Sequence, residues 1–459
     1  MKYNDCHYMQ RTSIFIVQIN SVVRQFLREK NMSKRKMNAF YAQSGGVTSV
    51  INASACGVIQ MARQHPEKIN HIYAGRNGIL GALREELFDT QQESASDIEK
   101  LKTTPGGAFG SCRYKLKEVS SCNNEYKRII DVFEAHDIGY FFYNGGGDSA
   151  DTCLKIAQVS SEMGYPISAV HIPKTIDNDL PITDCSPGFG SVAKYVAIST
   201  KEASLDIASM RETSTKVFIL EVMGRNAGWI AASAGLAASR ASDPPHIILF
   251  PEIAFDQARF LQKVRQTVDQ EGFCVIVASE GITYDDGSPI SGSGDKDAFG
   301  HQQLGGVAPT LADLIKNEMG YKHHWAKSDY LQRSARHIAS ATDVSQAYAA
   351  GQQAVERSLN GESSIMITIE REMSPNYQWG LGSAPLIDIA NKEKYVPTDF
   401  IRPDGYGITM NAVDYLLPLI QGESYPDYID GLPQYAKLKN KLVPKKLSQT
   451  FNLESTRHT

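Results

Sequence analysis

No apolar run in this sequence is long enough to span a bilayer, which needs about 20 such residues. The nearest candidate, residues 13–23, is interrupted by Gln18 and Asn20 and followed by a basic segment from Arg24 to Lys36. Cysteine offers neither a disulfide framework nor a metal cage. The seven residues, Cys6, Cys56, Cys112, Cys122, Cys153, Cys185 and Cys274, are scattered with no CxxC pair. An odd count without ligand spacing reads as reduced, buried thiols of a cytoplasmic protein. A large excess of either charge is also missing, with 47 basic against 51 acidic residues and a formal net charge of −4. Neither nucleic acid nor membrane is therefore expected as a partner. Any basic site has to be local, a few Lys and Arg in a pocket, which suits a small anionic ligand.

What is present is an ordinary globular composition, 42% hydrophobic and 21% charged, on a chain long enough for two domains. Short apolar runs alternate with Gly-rich turns and helical patterns. Asn38–Ala42 runs into Ser44-Gly-Gly46 and a helical stretch from Val50 to Arg63. Ile138–Tyr143 runs into Asn144-Gly-Gly-Gly147 and a helix from about Ala150 to Met163. Val217–Val222 runs into Met223-Gly-Arg225 and an Ala-rich helix reaching Ala238. His246–Phe250 and Phe273–Ala278 are further buried-strand candidates. This alternation predicts an α/β fold with mostly parallel sheets, helices on both faces and ligands beyond the carboxyl ends of the strands. Loops are expected at Asp285–Gln302 and Arg371–Leu381. The basic tail Lys437–Lys446 reads as a solvated helix. Residues 1–36 are expected to be an extension outside the fold, since Met32 and Met37 both stand just before the first core strand.

The chemistry-bearing residues collect at the predicted strand ends. Gly45 and Gly46 let a backbone approach a phosphate at a helix N-terminus, although such a turn also needs glycine for conformation alone. Asp148 opens the next helix; it either faces a cation or a phosphate to be excluded, or with Ser149 merely caps that helix. Pro173-Lys-Thr-Ile-Asp-Asn-Asp-Leu180 places Asp177 and Asp179 two apart beside Lys174 and Thr175. Such a pair can divide work between a general base and a metal ligand. Arg225 ends a strand and suits a bidentate grip on phosphoryl oxygens. Glu280 can accept hydrogen bonds from sugar hydroxyls, and Tyr330 with Arg333 offers a second phosphate site.

The ordered set Ser-Gly-Gly46, Gly-Ser-Cys-Arg113, Gly-Gly-Gly-Asp-Ser149, Thr-Ile-Asp-Asn-Asp179, Met-Gly-Arg225, Pro251-Glu252, Ser279-Glu280 and Tyr-Leu-Gln-Arg333 resembles the phosphofructokinases. The resemblance covers roughly Asn38 to Gly351. It implies two Rossmann-like three-layer domains: residues 37–190 plus about 335–385 for the phosphoryl donor, and 191–334 plus about 386–459 for the sugar phosphate. It implies Asp177 as the base on the sugar 1-hydroxyl, with Asp179 assisting near Mg²⁺. Arg225 would stabilise the transferring phosphoryl group, and Gly45, Gly46 and Arg113 would hold the donor. Thr175, Ile176, Met223, Gly224, Glu280, Tyr330 and Arg333 would contact fructose 6-phosphate.

Two positions bear on the donor. Members that use pyrophosphate carry Lys before Thr-Ile-Asp, as Lys174 does here, and a second Asp in the glycine motif, as Asp148 does. Both imply pyrophosphate rather than ATP, and a reversible transfer to fructose 6-phosphate. An ATP-dependent kinase and a catalytically silent sugar-phosphate-binding homologue are the alternatives. The sequence also departs from the family. Gly147 stands where the family has its Mg²⁺-binding Asp, leaving Asp148 or Asp179 to serve. Asp329 replaces the usual Gly before Tyr330. Lys216 aligns with an arginine that reaches the sugar phosphate from a neighbouring subunit, which implies a homodimer or homotetramer. A second such arginine has no clear match; Lys322, His323, His324 and Lys327 are the candidates.

Overall fold

The computed structural model describes residues 36–116, 123–296, 302–374 and 376–451. Most of the expected extension, residues 1–35, and the cysteines at positions 6 and 122 lie outside them. Strand Met37–Ser44 is buried along its whole length. It forms the switch point of the larger sheet, which has eight strands among the described residues. On one side it pairs in parallel with Ile138–Gly145, which pairs with Ser168–Pro173, then Ile365–Arg371 and antiparallel Trp379–Pro385. On the other it pairs with Ile69–Gly75, followed by antiparallel Leu87–Asp89. The chain leaves this central strand in opposite directions, which opens a crevice at the carboxyl ends. Register sets what lines it. Gln43 lies opposite Asn144 and Gly145 opposite Pro173, so the loops beginning at Gly45, Gly146 and Lys174 emerge side by side.

The second sheet is all parallel, in the order His323–Lys327, Val217–Val222, Cys274–Ser279 and Ile247–Leu249. Val222 is registered with Ser279, and Lys327 with Glu221. The turns that follow therefore present Arg225, Glu280 and Tyr330 at one edge. Strand Val217–Val222 has the bounds the sequence suggests, and the other strands differ by one to three residues at an end.

Helix Ile51–Gln64 packs on Ala341–Leu359 through small residues. A Cβ on Gly57 would stand 2.2 Å from the Tyr348 carbonyl oxygen, and one on Gly351 2.2 Å from that of Ser54. At this crossing the backbones touch, and side chains do not fit between them. Asp343, on the second of these helices, is buried and caps a third, Phe189–Met210. Its carboxylate accepts from Gly188 N at 2.8 Å and Ser191 N at 2.9 Å. A carboxylate there answers both the free amides and the helix dipole.

Three local expectations are corrected. The Ala-rich helix after Arg225 is a single α turn, Trp229–Ser233, tightening to 3₁₀ geometry over Ala234–Ala237. The loop expected from Asp285 contains a two-stranded ribbon, Gly292–Lys296 against Gln302–Leu304; residues 297–301 lie outside the described residues. The basic tail is not a solvated helix. Pro444 opposes helix, and two carboxylates hold the extended backbone. Glu93 accepts from Lys439 N and Asn440 N, and Glu85 from Lys446 N and Leu447 N. Leu438, Val443 and Leu447 pack on the cores around the larger sheet. This end of the chain therefore lies against the larger sheet.

Candidate active site

A cleft of about 620 Å³ lies between the carboxyl ends of the two sheets. It gathers Gly45, Gly46, Arg113, Asp148, Lys174, Thr175, Ile176, Asp177, Asp179, Met223, Arg225, Glu280, Tyr330 and Arg333, every predicted site residue except Gly224 and Lys216.

On the side of the larger sheet, cations converge on glycine. Lys174 is 3% exposed, and its Nζ donates to Gly46 O at 2.6 Å. A Cβ placed on Gly46 would stand 2.8 Å from Arg333 Nη1 and 3.5 Å from Arg113 Nη2. Two guanidinium groups and an ammonium thus share one turn, an arrangement suited to binding an anion. Burial pushes the Lys174 ammonium down to about 7, and Arg333 and Arg113 add to the shift against the opposing pull of Asp177 and Asp179. Gly145 has no room for a side chain, because a Cβ there would lie 2.1 Å from Ser149 Oγ, which donates to Ser44 Oγ at 2.8 Å. Gly147 differs, since nothing lies within 4 Å of a Cβ built on it. The helix starts at Gly147, three residues earlier than the sequence suggests, with Asp148 in its first turn and in an ion pair with Lys115 at 3.5 Å.

The carboxylate turn sits between the two sheets. The Asp177 amide donates to Thr175 Oγ1 at 3.1 Å. Asn178, between Asp177 and Asp179, takes a left-handed φ of +53°. Burial raises the Asp177 carboxyl above the ordinary range, Glu280 adds to it, and Lys174, Thr175 and Arg225 oppose it. Asp179 is raised by burial and then by Asp177. Raised carboxyls in a cleft suit proton transfer near neutrality. Asp179 Oδ1 is buried with no hydrogen-bond partner. Among the described residues no three His, Cys, Asp or Glu form a ready cage. The orphaned oxygen and the Asp148 carboxylate nevertheless fit Mg²⁺, which binds through one or two carboxylates, waters and substrate phosphates.

On the side of the smaller sheet, the Met223 amide donates to Gln332 Oε1 at 3.3 Å, tying the Met-Gly-Arg turn to the Tyr-Leu-Gln-Arg helix. The Arg333 guanidinium lies 4.0 Å from the Tyr330 ring centroid. Asp329 has φ +38°, a region glycine enters freely. Gly224, at φ +136°, turns its carbonyl toward Ser279 Oγ, 2.5 Å away, and does not line the cleft. Lys216 precedes strand Val217–Val222 and so lies at the end of the sheet opposite the cleft, with its Nζ donating to Arg211 O. Lys322 Nζ donates to Ser214 Oγ, and Lys327 pairs with the buried Glu221 at 3.6 Å. None of these lysines lines the cleft of its own chain, nor do His323 and His324.

Several lining residues carry no sequence signal. Lys115, Asn226 and the segment Asn391, Lys392, Glu393 and Tyr395 border the cleft. Asn-Lys-Glu-Lys reads as a solvated loop, and only the tertiary fold brings Glu393 to Asn226 at 2.9 Å.

Comparison with known proteins agrees with this geometry. Residues 38–358 match the family model described as Phosphofructokinase. The chain is 61% identical over 412 residues to the pyrophosphate–fructose 6-phosphate 1-phosphotransferase of Halomonas elongata, covering 90% of this chain and 98% of that protein. It is 60% identical over 416 residues to the protein of the same name from Methylococcus capsulatus, covering 91% and 99%. Among solved structures, the pyrophosphate-dependent phosphofructokinase of Marinobacter aquaeolei superposes with a TM-score of 0.84 at 59% identity. That match covers 91% of this chain and 100% of the other.

Proposed function

The chain belongs to the phosphofructokinase family, and from that premise we propose that it transfers a phosphoryl group from pyrophosphate to the 1-hydroxyl of fructose 6-phosphate. The products are fructose 1,6-bisphosphate and phosphate, and the reaction is reversible. The observation that carries this reading is the meeting of three cations and a carboxylate pair in one cleft. Relatives at 61% and 60% identity bear names stating both substrates.

The family resemblance suggests each residue's role, and the charges gathered in the cleft support it. Asp177, its carboxyl raised by burial, accepts the proton from the 1-hydroxyl as O1 attacks the terminal phosphorus. The bond from that phosphorus to the bridging oxygen breaks, and phosphate departs. Lys174 and Arg113, at Gly46, neutralise the leaving group, and Arg225 faces the phosphoryl group in transfer. Arg333 reaches the same turn from the acceptor side, where Tyr330 and Glu280 hold the sugar. Asp148 and Asp179 would hold Mg²⁺, which when bound would supply charge neutralisation for the phosphates. Asp148 puts a negative charge where a nucleotide's next phosphate would lie, which favours pyrophosphate over ATP.

The Lys216 side chain serves the cleft of a neighbouring subunit in this reading, in a homodimer or homotetramer. Phosphorylated substrates go with a cytoplasmic reaction. Among the described residues no helix is long and apolar enough to cross a membrane.

The test is formation of fructose 1,6-bisphosphate from fructose 6-phosphate and Mg²⁺ with pyrophosphate or ATP in parallel. Turnover with pyrophosphate alone is expected. Turnover with ATP alone would reverse the donor assignment, and inactivity with both would favour a silent homologue.

A further inference from the structure

The segment Asn391–Tyr395 touches the three parts of the cleft at once. Asn391 Nδ2 donates to Asp151 Oδ1 at 3.1 Å, on the helix that begins at the donor turn. Glu393 accepts from Asn226 Nδ2 at 2.9 and 3.1 Å, beside Arg225. Between these contacts Lys394 turns inward. Its amide donates to Asp179 O at 2.7 Å, and its carbonyl accepts from Trp229 Nε1 at 2.9 Å.

The ammonium group of Lys394 lies behind the carboxylate turn. It donates to Thr183 O at 3.0 Å and Asp184 O at 2.9 Å, reaches Asn178 Oδ1 at 3.5 Å, and sits 5.4 Å from the Trp229 ring centroid. Asn178 is fully buried, and its left-handed backbone separates Asp177 from Asp179. Its remaining bonds, to Ser186 N and Tyr415 OH at 2.9 Å each, come from one side of the same knot. An asparagine tolerates this backbone better than most residues, but its neighbours still have to keep it there. Tyr415 OH also joins two of these parts, accepting from Asn178 Nδ2 and donating to Asp184 O. Among the described residues, Lys394 alone bonds Asp179, Asn178 and the Thr183–Asp184 return of the loop together.

We propose that Lys394 is a positioning residue, which fixes the spacing of Asp177 and Asp179 by clamping the turn between them from outside the substrate cleft. It touches no reacting atom and acts only through Asn178, Asp179 and the 183–184 backbone. The proposal rests on Asp177 acting as the base. It adds that this geometry depends on a residue more than 200 positions further along the chain.

The test pairs kinetics with hydrogen exchange on the purified full chain. Lys394→Met keeps the stem and loses the three donors. Its kcat should fall about 100-fold, the scale of a misplaced reacting group, while KM for each substrate stays within about threefold. Amide exchange in residues 177–186 should quicken while that of the two sheets does not. Lys394→Arg keeps a multidonor cation and should recover about tenfold of the lost kcat. If Lys394→Met proves insoluble, Lys394→Gln, which keeps an N–H donor, is read in the same way. Exchange at the turn equal to that of the parent chain, or kcat within about twofold of it, would overturn the proposal. The exchange reports on the turn whatever Asp177 does. Full activity in an Asp177→Ala variant would instead remove the base assignment and leave the clamp standing.

Discussion

The two sides of the cleft are finished to different degrees. On the side of the larger sheet, one chain supplies everything the donor needs. Two glycine-bearing turns and the Lys174 turn leave adjacent strands, Lys174 is buried with its Nζ on Gly46 O, and Arg113 and Arg333 flank the same glycine. On the side of the smaller sheet Tyr330 is 63% exposed, and Lys216 lies at the far end of its sheet. A pyrophosphate carries its charge in a small volume, so one compact cradle can enclose it. A sugar phosphate has its reacting hydroxyl and its phosphate at opposite ends. In the proposed reading the smaller sheet grips the first end, and a neighbouring subunit would supply cations for the second. The contrast suggests that donor affinity belongs to the protomer and acceptor affinity to the assembly.

The largest effect is expected where the two sides meet. Asp177→Asn preserves shape and removes the base, so kcat should fall by about 10²–10⁴-fold with little change in either KM. Steady-state rates with each substrate varied in turn give the comparison. Loss of acceptor affinity instead would make Asp177 a binding group.

Next in size is the donor cradle. Lys174→Met should raise KM for pyrophosphate by about 100-fold and leave fructose 6-phosphate binding nearly unchanged. Its pH dependence sharpens the contrast. In the free protein burial and two arginines hold the ammonium down to about 7. A bound polyanion favours the charged form and raises that value. Binding should therefore take up a proton, be tightest below pH 7, and weaken as pH rises by at most about tenfold per unit. Titration calorimetry in buffers of different ionisation enthalpy measures the uptake. Lys174→Met should abolish that share of it.

Much of this was legible beforehand, for a physical reason. A strand end that must turn tightly beside a phosphate has few permitted residues, so Gly45, Lys174 and Asp177 stand out in the chain. The parallel sheets follow from the same alternation. Contacts formed across long sequence separations left no such mark. Glu393 meets Asn226 and Lys394 meets Asp179 through loops whose composition is that of any solvated segment. Lys216 was readable as a residue type but not as a location, because strand direction decides which end of the sheet it occupies. The tail misled for a related reason. Its lysines suggest a solvated helix, whereas Glu85 and Glu93, more than 340 residues earlier, bond its backbone amides.

A smaller effect should fall on the acceptor side. Lys216→Ala should raise KM for fructose 6-phosphate by about tenfold while KM for pyrophosphate holds. Mixed oligomers of Lys216→Ala and Asp177→Asn chains locate the lysine. If it serves a neighbour, some mixed assemblies combine an intact Asp177 with an intact Lys216 from the partner and recover acceptor affinity. If every active cleft keeps the variant's KM, Lys216 acts within its own chain and the contrast between the two sides fails.

The smallest effect on turnover should come from the tail, which separates fold stability from either side of the cleft. Glu85 is fully buried, accepts hydrogen bonds from His136 Nε2 at 2.8 Å and from the amides of Lys446 and Leu447, and is ion-paired with Arg128 at 3.5 Å. Burial opposes its ionisation, but the bonds from Lys446, His136 and Leu447 outweigh it and hold the carboxyl below its usual value. The stability it supplies is therefore present above the ordinary Glu range and lost as pH falls through the lowered value. Glu85→Ala leaves buried Arg128 and His136 without their acceptor and frees the strap. It should cost about 3 kcal/mol of stability, seen as a lower Tm, with both KM values unchanged. The deficit should narrow in acid, where the parent chain loses the same carboxylate. A rise in KM for pyrophosphate alone would show that the donor cradle relies on the strap packed behind it. The donor side could then no longer be treated as complete within its own three loops.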